Sequence, residues 1–190
     1  MHRTICVFAA SSNRMDPAYF TTAHQLGVEI ARRGYELIFG GGEIGLMGAV
    51  AAAVKKHGGR VVGVIPEALR LPGIAYEEAD ELIVTPTMHQ RKAIMIERAD
   101  AFLVLPGSFG TLEEALEVLT LKQLGYHNKP VVFLNLRQFY QPLIHLFEHL
   151  YREQAAREDH RKLYFFASEI EDAFTYLDGY RPIEFQHKWT

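Results

Sequence analysis

Three features of the chain predict a doubly wound α/β fold, a mostly parallel sheet flanked by helices. Short apolar runs bounded by Gly, Pro or Ser recur along it, and longer stretches with helical periodicity separate them. The short runs are apolar on both faces, as strands are when helices cover a parallel sheet from each side. In order, TICVFAA is the first strand, YFTTAHQLGVEIARRG a helix, ELIFGGG the second strand and GLMGAVAAAVKKHGG the next helix. RVVGVIP and ELIVTP follow as strands. HQRKAIMIERAD is a helix, AFLVLPG a strand, TLEEALEVLTLKQLG a helix, PVVFLN a strand and LYFFAS a last short strand. The polar stretch YREQAAREDHRK reads as a helix end followed by a surface loop. Such a Rossmann-like sheet holds its ligands beyond the C-terminal ends of its strands.

The 190 residues, 48% of them hydrophobic, fit one domain spanning residues 1–190, because soluble domains run to roughly 100 to 200 residues. A net charge of -3 supplies no general basic field for a nucleic-acid polymer or an anionic membrane, so a phosphate site has to gather its positive charge locally. Cys6 has no partner for an internal disulfide, and Met1-His2-Arg3 leads into the first apolar run without a signal-peptide layout. A cytoplasmic location is expected. No apolar run approaches the roughly 20 residues of a membrane span.

Three strand ends carry loops suited to phosphate: AASSN, GGGEIGLMG and PGSFGT. Glycines let backbone N–H groups come close to an anion, and a following helix start adds unpaired donors and the positive end of its dipole. The third loop does so most fully, with Gly107 and Gly110 flanking Ser108 and Phe109, and Thr111 offering a hydroxyl as the helix begins. No lysine follows in the Walker position, which argues against a nucleoside-triphosphate-cleaving loop. A competing reading stays open, since Thr111-Leu112-Glu113-Glu114 also spells a capping box in which Glu114 serves only the backbone of Thr111. The neighbouring MHQRK starts a helix after ELIVTP and brings Arg91 and Lys92 to the same rim, where a carboxylate, a guanidinium and an anion-binding helix start converge. A buried structural Arg–Glu pair is the alternative.

Two further patterns carry less. GGGEIG fits a dinucleotide fingerprint, with Glu67 downstream as a ribose-binding acid, but it follows the second strand instead of the first. HLFEH, residues 145–149, spells an H-x-x-E-H zinc pattern; on a helix, however, Leu143, Phe147, Leu150 and Tyr151 take one side and the histidines the solvated other. No metal site is therefore expected. Cys6, within an apolar strand, reads as a small buried hydrophobe.

MHQRK, ADAFLVLPGSFGTLEE and GGGEIGLMG closely resemble the LONELY GUY family, the cytokinin riboside 5'-monophosphate phosphoribohydrolases, whose hallmark is Pro-Gly-Gly-x-Gly-Thr-x-x-Glu after Met-His-x-Arg-Lys. The likeness runs from CVFAASS through QLGYHNKPVVFLN. It implies hydrolysis of the N-glycosidic bond of an AMP-like or N6-substituted nucleoside monophosphate, with no cofactor, in a homodimer that completes the site. It assigns catalysis to Arg91 and Glu114, a phosphate loop to Gly107, Ser108, Gly110 and Thr111, nucleotide contacts to Ser12, Gly42 and Lys92, and a base contact to Met88. Some relatives carry a lysine decarboxylase label, yet no lysine here stands out as a pyridoxal phosphate anchor. A non-catalytic nucleotide or nucleotide-cofactor carrier of the same fold is the alternative function.

Elementary chemistry agrees with these roles. Cleaving an N-ribosyl bond builds positive charge on C1' and the ring oxygen, which a carboxylate stabilises while positioning water. Arginine is too basic for routine proton donation, so its part is orientation and electrostatics. The sequence departs from the hallmark at Ser108, which replaces the second glycine; a positive φ there would cost roughly 1 kcal/mol. Ala10 and Arg14 replace usual glycines, and the segment after Tyr151 lacks the usual Glu-Gly-Phe.

Overall fold

A computed structural model of the chain describes residues 3–182, so the leader argument at Met1 and His2 falls outside them. Seven strands form one sheet: β1 (Thr4–Phe8), β2 (Glu36–Phe39), β3 (Val61–Pro66), β4 (Glu81–Thr85), β5 (Ala101–Val104), β6 (Val131–Leu134) and β7 (Phe165–Ala167). They lie in the order β4-β3-β2-β1-β5-β6-β7, and every pairing is parallel.

The helices are α1 (Pro17–Arg32), α2 (Gly45–Lys56), α3 (Met88–Arg98), α4 (Phe109–Gln123), α5 (Gln141–Arg152) and α6 (Ile170–Gly179). Alternation along each strand divides the core in two. Ile5 and Val7 of β1 pack with Leu26 of α1, Val50 of α2 and Phe174 of α6 on one face. Cys6 and Phe8 pack with Met95 of α3, Val118 of α4 and Phe147 of α5 on the other. Runs apolar on both faces thus become strands buried on both faces. Cys6 is fully buried, and burial pushes its thiol well above the usual range.

One local reading needs correction, and one connection is unusual. Residues 153–163 are not simply loop, because Glu158–Leu163 turn into a 3-10 helix that buries Leu163 against the core. The crossover from β3 to β4, residues 67–80, has no α-helix; it holds a 3-10 turn at Glu67–Leu69 and then runs back over the loop after β2. There Glu43 N donates to Ile74 O at 2.7 Å and Tyr76 N to Gly41 O at 2.9 Å. A parallel crossover without a helix keeps this stretch low against the strand ends.

Candidate active site

β1 and β5 are neighbours at the centre of the sheet, but the helices that follow them, α1 and α4, cover opposite faces. A crevice opens where the connections part, at the C-terminal strand ends. Hydrogen bonds tie its three loops together: Ala10 N donates to Pro106 O at 3.1 Å, and Leu46 N to Ala10 O at 2.9 Å. Gly45 N donates to Asn13 Oδ1 at 2.9 Å. Gly45 has φ +79, and a Cβ on it would stand 2.4 Å from Ala10 O, so no other residue fits this seam.

Two helices deliver the charged groups. Thr87 caps α3, its side chain accepting from Gln90 N at 3.2 Å, and so fixes the first turn that carries Arg91. Arg91 Nη1 donates to Glu114 Oε1 at 2.7 Å, and Arg91 Nε donates to Val64 O at 3.0 Å, at the end of β3. Both residues are buried, with 6% and 8% exposure. Gly40 makes room for the guanidinium, since a Cβ there would lie 1.9 Å from Arg91 Nη2. Burial pushes the Glu114 carboxyl above its ordinary range, while the charge and hydrogen bond of Arg91 pull it back.

The start of α4 differs from the sequence reading. The helix begins at Phe109, and Thr111 is its third residue. Glu114 is therefore not the distal member of a capping box; its carboxylate is committed to Arg91. Ser108 occupies the N-cap with φ -101 and ψ -152 and contributes no side-chain cap. That backbone is extended and open to any residue, so serine in place of the hallmark glycine carries no strain. The first helical hydrogen bond is Leu112 N to Ser108 O at 3.0 Å, and by helix geometry the N–H groups of Phe109, Gly110 and Thr111 lie ahead of any intrahelical acceptor. Gly107 presses on the buried Thr111, where a Cβ would sit 2.0 Å from Oγ1, whereas a Cβ on Gly110 would meet nothing within 4 Å.

These groups enclose a cavity of about 340 Å³. Ser11, Arg91, Ser108, Thr111, Glu113 and Glu114 form its polar side. Met47, Ile65, Leu69, Ile74 and Met88 form an apolar one. Of the residues named from sequence, Gly42, Met88, Arg91, Ser108, Gly110, Thr111 and Glu114 line it, and Gly107 stands behind Thr111. Ser12 stands off the wall, its hydroxyl accepting from Arg14 N at 3.2 Å, while Ser11 lines the cavity. Lys92 also stands off it, paired with Glu113 and, at 2.8 Å, with Glu117. Sequence reasoning missed Ser11, Gly40 and Ile74. Gly40 was visible as the first glycine of GGGEIG, but nothing in the chain announced that Ile74 would fold back over the crevice.

The other motifs lie apart from this cavity. His145, Glu148 and His149 sit on the exposed side of α5, with Glu148 paired to Arg161. Among the described residues, no group of three or more His, Cys, Asp or Glu is placed to hold a metal. Glu67 opens its exposed 3-10 turn. No described helix is long and apolar enough to cross a membrane.

Residues 47–177 match the family described as "Possible lysine decarboxylase". The chain is 42% identical over 180 residues to the cytokinin riboside 5'-monophosphate phosphoribohydrolase LOG of Oryza sativa subsp. japonica, covering 95% of this chain and 74% of that protein. It is 43% identical over 181 residues to an Arabidopsis thaliana protein of the same name, covering 95% and 83%. Among solved structures, the molybdenum cofactor carrier protein of Chlamydomonas reinhardtii superposes with a TM-score of 0.72 at 24% identity over 94% of this chain and 97% of that one. The molybdenum cofactor binding protein of Rippkaea orientalis gives 0.71 at 23% identity, over 94% and 96%. These two likenesses show the shared fold. With the hallmark segments, the matched residues and relatives above 40% identity along nearly its whole length, the chain belongs to the LONELY GUY family of cytokinin riboside 5'-monophosphate phosphoribohydrolases.

Proposed function

We propose that this protein hydrolyses the N-glycosidic bond of adenine-type nucleoside 5'-monophosphates, AMP or N6-substituted cytokinin nucleotides, to free base and ribose 5-phosphate. The observation that carries the reading is the buried Arg91–Glu114 pair facing the same cavity as the open N-terminus of α4. The phosphate sits against the N–H groups of Phe109, Gly110 and Thr111, where the helix dipole favours an anion. The base lies toward Met88, with Ser11 and Gly42 as further nucleotide contacts. As the C1'–N bond breaks, its electron pair leaves with the base and positive charge grows on the ribose. The Glu114 carboxylate stabilises that charge and directs water to C1'; the water's oxygen and one hydrogen complete ribose 5-phosphate, and its other proton ends on the released base. Arg91 holds the carboxylate in place and balances charge.

Lysine decarboxylation does not suit these residues. That chemistry needs a lysine in the site to anchor pyridoxal phosphate, and among the described residues no lysine lines the cavity. We further place the protein in the cytoplasm, on its single buried cysteine, as one domain over residues 1–190 that acts as a homodimer. What supports the dimer is exposed apolar surface on α3 and α4: Phe109 is 90% exposed, and Met88 and Leu116 are also exposed.

The test is incubation with AMP and with isopentenyladenosine monophosphate, following free base and ribose 5-phosphate by chromatography. Equimolar release of both products is expected. Retention of intact nucleotide without turnover would turn the reading into that of a carrier.

A further inference from the structure

Tyr140 lies outside the cavity and plays no part in the chemistry above, yet its buried hydroxyl donates to Leu105 O at 2.6 Å. Leu105 is the residue that leads into Pro106-Gly107-Ser108. Its own N–H donates to Phe8 O at 2.9 Å, and the next carbonyl, Pro106 O, accepts from Ala10 N. The Tyr140 hydroxyl is therefore the outer end of a line of hydrogen bonds that runs through Leu105 and Pro106 to Ala10 and on to Leu46 at the start of α2.

The surroundings hold Tyr140 tightly. Its N–H donates to Asn135 Oδ1 at 2.7 Å, and its ring meets Phe133 and Phe139 edge-on at 5.3 and 5.1 Å. The turn that delivers it is strained: Arg137 and Gln138, neither a glycine, have φ of 50 and 62. Arg137 also clamps this turn to the start of α1 through Asp16, at 2.6 Å. Burial pushes the phenol up, so the hydroxyl remains a donor across the working pH range. A strained turn, exposed at residues 137–139, that ends on one buried hydroxyl-to-carbonyl bond is a costly way to satisfy one carbonyl, and strain of this kind gathers where position matters.

We propose that Tyr140 is a positioning residue for the phosphate loop, fixing the Leu105 carbonyl so that the peptide groups from Gly107 to Thr111 face the sugar phosphate in one arrangement. Without the hydroxyl, the Leu105–Pro106 peptide gains a second orientation, and the loop must be reordered on each binding event. The inference rests on the loop being the phosphate site.

The test compares the full chain with Tyr140→Phe and with Tyr151→Phe as control. Tyr151 loses a partly buried hydroxyl, bonded to Tyr164 at 2.8 Å, on another part of the fold. Binding of inorganic phosphate and of ribose 5-phosphate is measured by calorimetry well below the melting temperature of each variant, with free adenine as a third ligand. Tyr140→Phe is expected to weaken both phosphate ligands about fivefold, as befits loss of one net hydrogen bond from the bound arrangement. Adenine affinity stays unchanged in it, and Tyr151→Phe leaves all three ligands unaffected. Equal phosphate affinity in Tyr140→Phe and the parent, or the same loss in both variants, overturns the proposal. So does a parent chain that binds neither phosphate ligand, whereas failure of the hydrolysis reading shows separately, as nucleotide that is bound but never cleaved.

Discussion

Arg91 and Glu114 meet at 2.7 Å inside the protein, the arginine from the first turn of α3 and the glutamate from the second turn of α4. Two consequences follow from their burial. Removing one partner strands the other charge, a loss of about 3 to 5 kcal/mol for buried pairs. A truncation therefore confuses catalysis with stability. Glu114→Gln keeps an acceptor for the guanidinium and removes only the charge. It is expected to retain a cooperative melt while turnover falls by about a thousandfold, the scale of losing a preorganised electrostatic group. Arg91→Ala should melt at a clearly lower temperature as well as being inactive. Thermal melts beside the chromatographic assay separate the two effects.

Glu114 also sets a pH dependence. Its folded pKa is raised, so between the ordinary value of 4.5 and the folded one the native protein keeps a proton that the unfolded chain has released. The stability contributed by this group is present below that window and lost as pH rises through it. The rate is expected to behave oppositely, because the proposed mechanism uses the carboxylate. The acid limb of kcat/KM is expected above the ordinary glutamate range. Chemical denaturation of the parent and Glu114→Gln across the same pH values should show their stability difference changing in that window, and a flat difference would remove Glu114 from the account of the limb.

Gly40 is needed for space. A methyl group at this position would stand 1.9 Å from Arg91 Nη2, close enough to force the guanidinium off Glu114. Gly40→Ala should lower kcat by about a hundredfold, as small displacements of catalytic groups do. Its far-ultraviolet circular dichroism should stay unchanged. Wild-type kcat in this variant would show that Arg91 does not need its present position.

Ser108 is unstrained, and replacement by glycine adds only backbone freedom, worth at most about 1 kcal/mol of stability. Because it caps the helix that faces the cavity, Ser108→Gly is expected to change KM for the nucleotide more than it changes the melting temperature. An unchanged KM would count against Ser108 lining the phosphate site.

Phe109 projects beside this loop and is 90% exposed. Phe109→Asp places a charge on the apolar surface proposed to bind a second copy. Sedimentation equilibrium should show a dimer for the parent and a weakened one for the variant, and identical behaviour would move the interface elsewhere.

The layered fold was legible because strands apolar on both faces and helices with one apolar stripe leave few other arrangements. The rim location of Arg91 and Glu114 followed from the same logic, helped by the family resemblance. Local chemistry was harder to read. Phe109-Gly110 carries no helix-start signal, so the sequence places the start of α4 at Thr111, where it also spells a capping box. Ile74 reaches the cavity, and Tyr140 the loop behind it, from segments whose course is decided by tertiary hydrogen bonds, at Glu43 and Leu105, and not by any period in the sequence. Arg137 and Gln138 likewise adopt a left-handed turn that their residue types disfavour.

The central claim is that the Glu114 carboxylate, held by Arg91, promotes departure of the base from a bound nucleotide. The most direct measurement is a single-turnover experiment with isopentenyladenosine monophosphate on the parent and on Glu114→Gln, recording nucleotide bound and base released in the same sample. The parent should bind and release base together with ribose 5-phosphate, and the variant should bind with similar affinity and release almost none. Release at the parent rate from Glu114→Gln, or a parent that holds its nucleotide intact, would contradict the account.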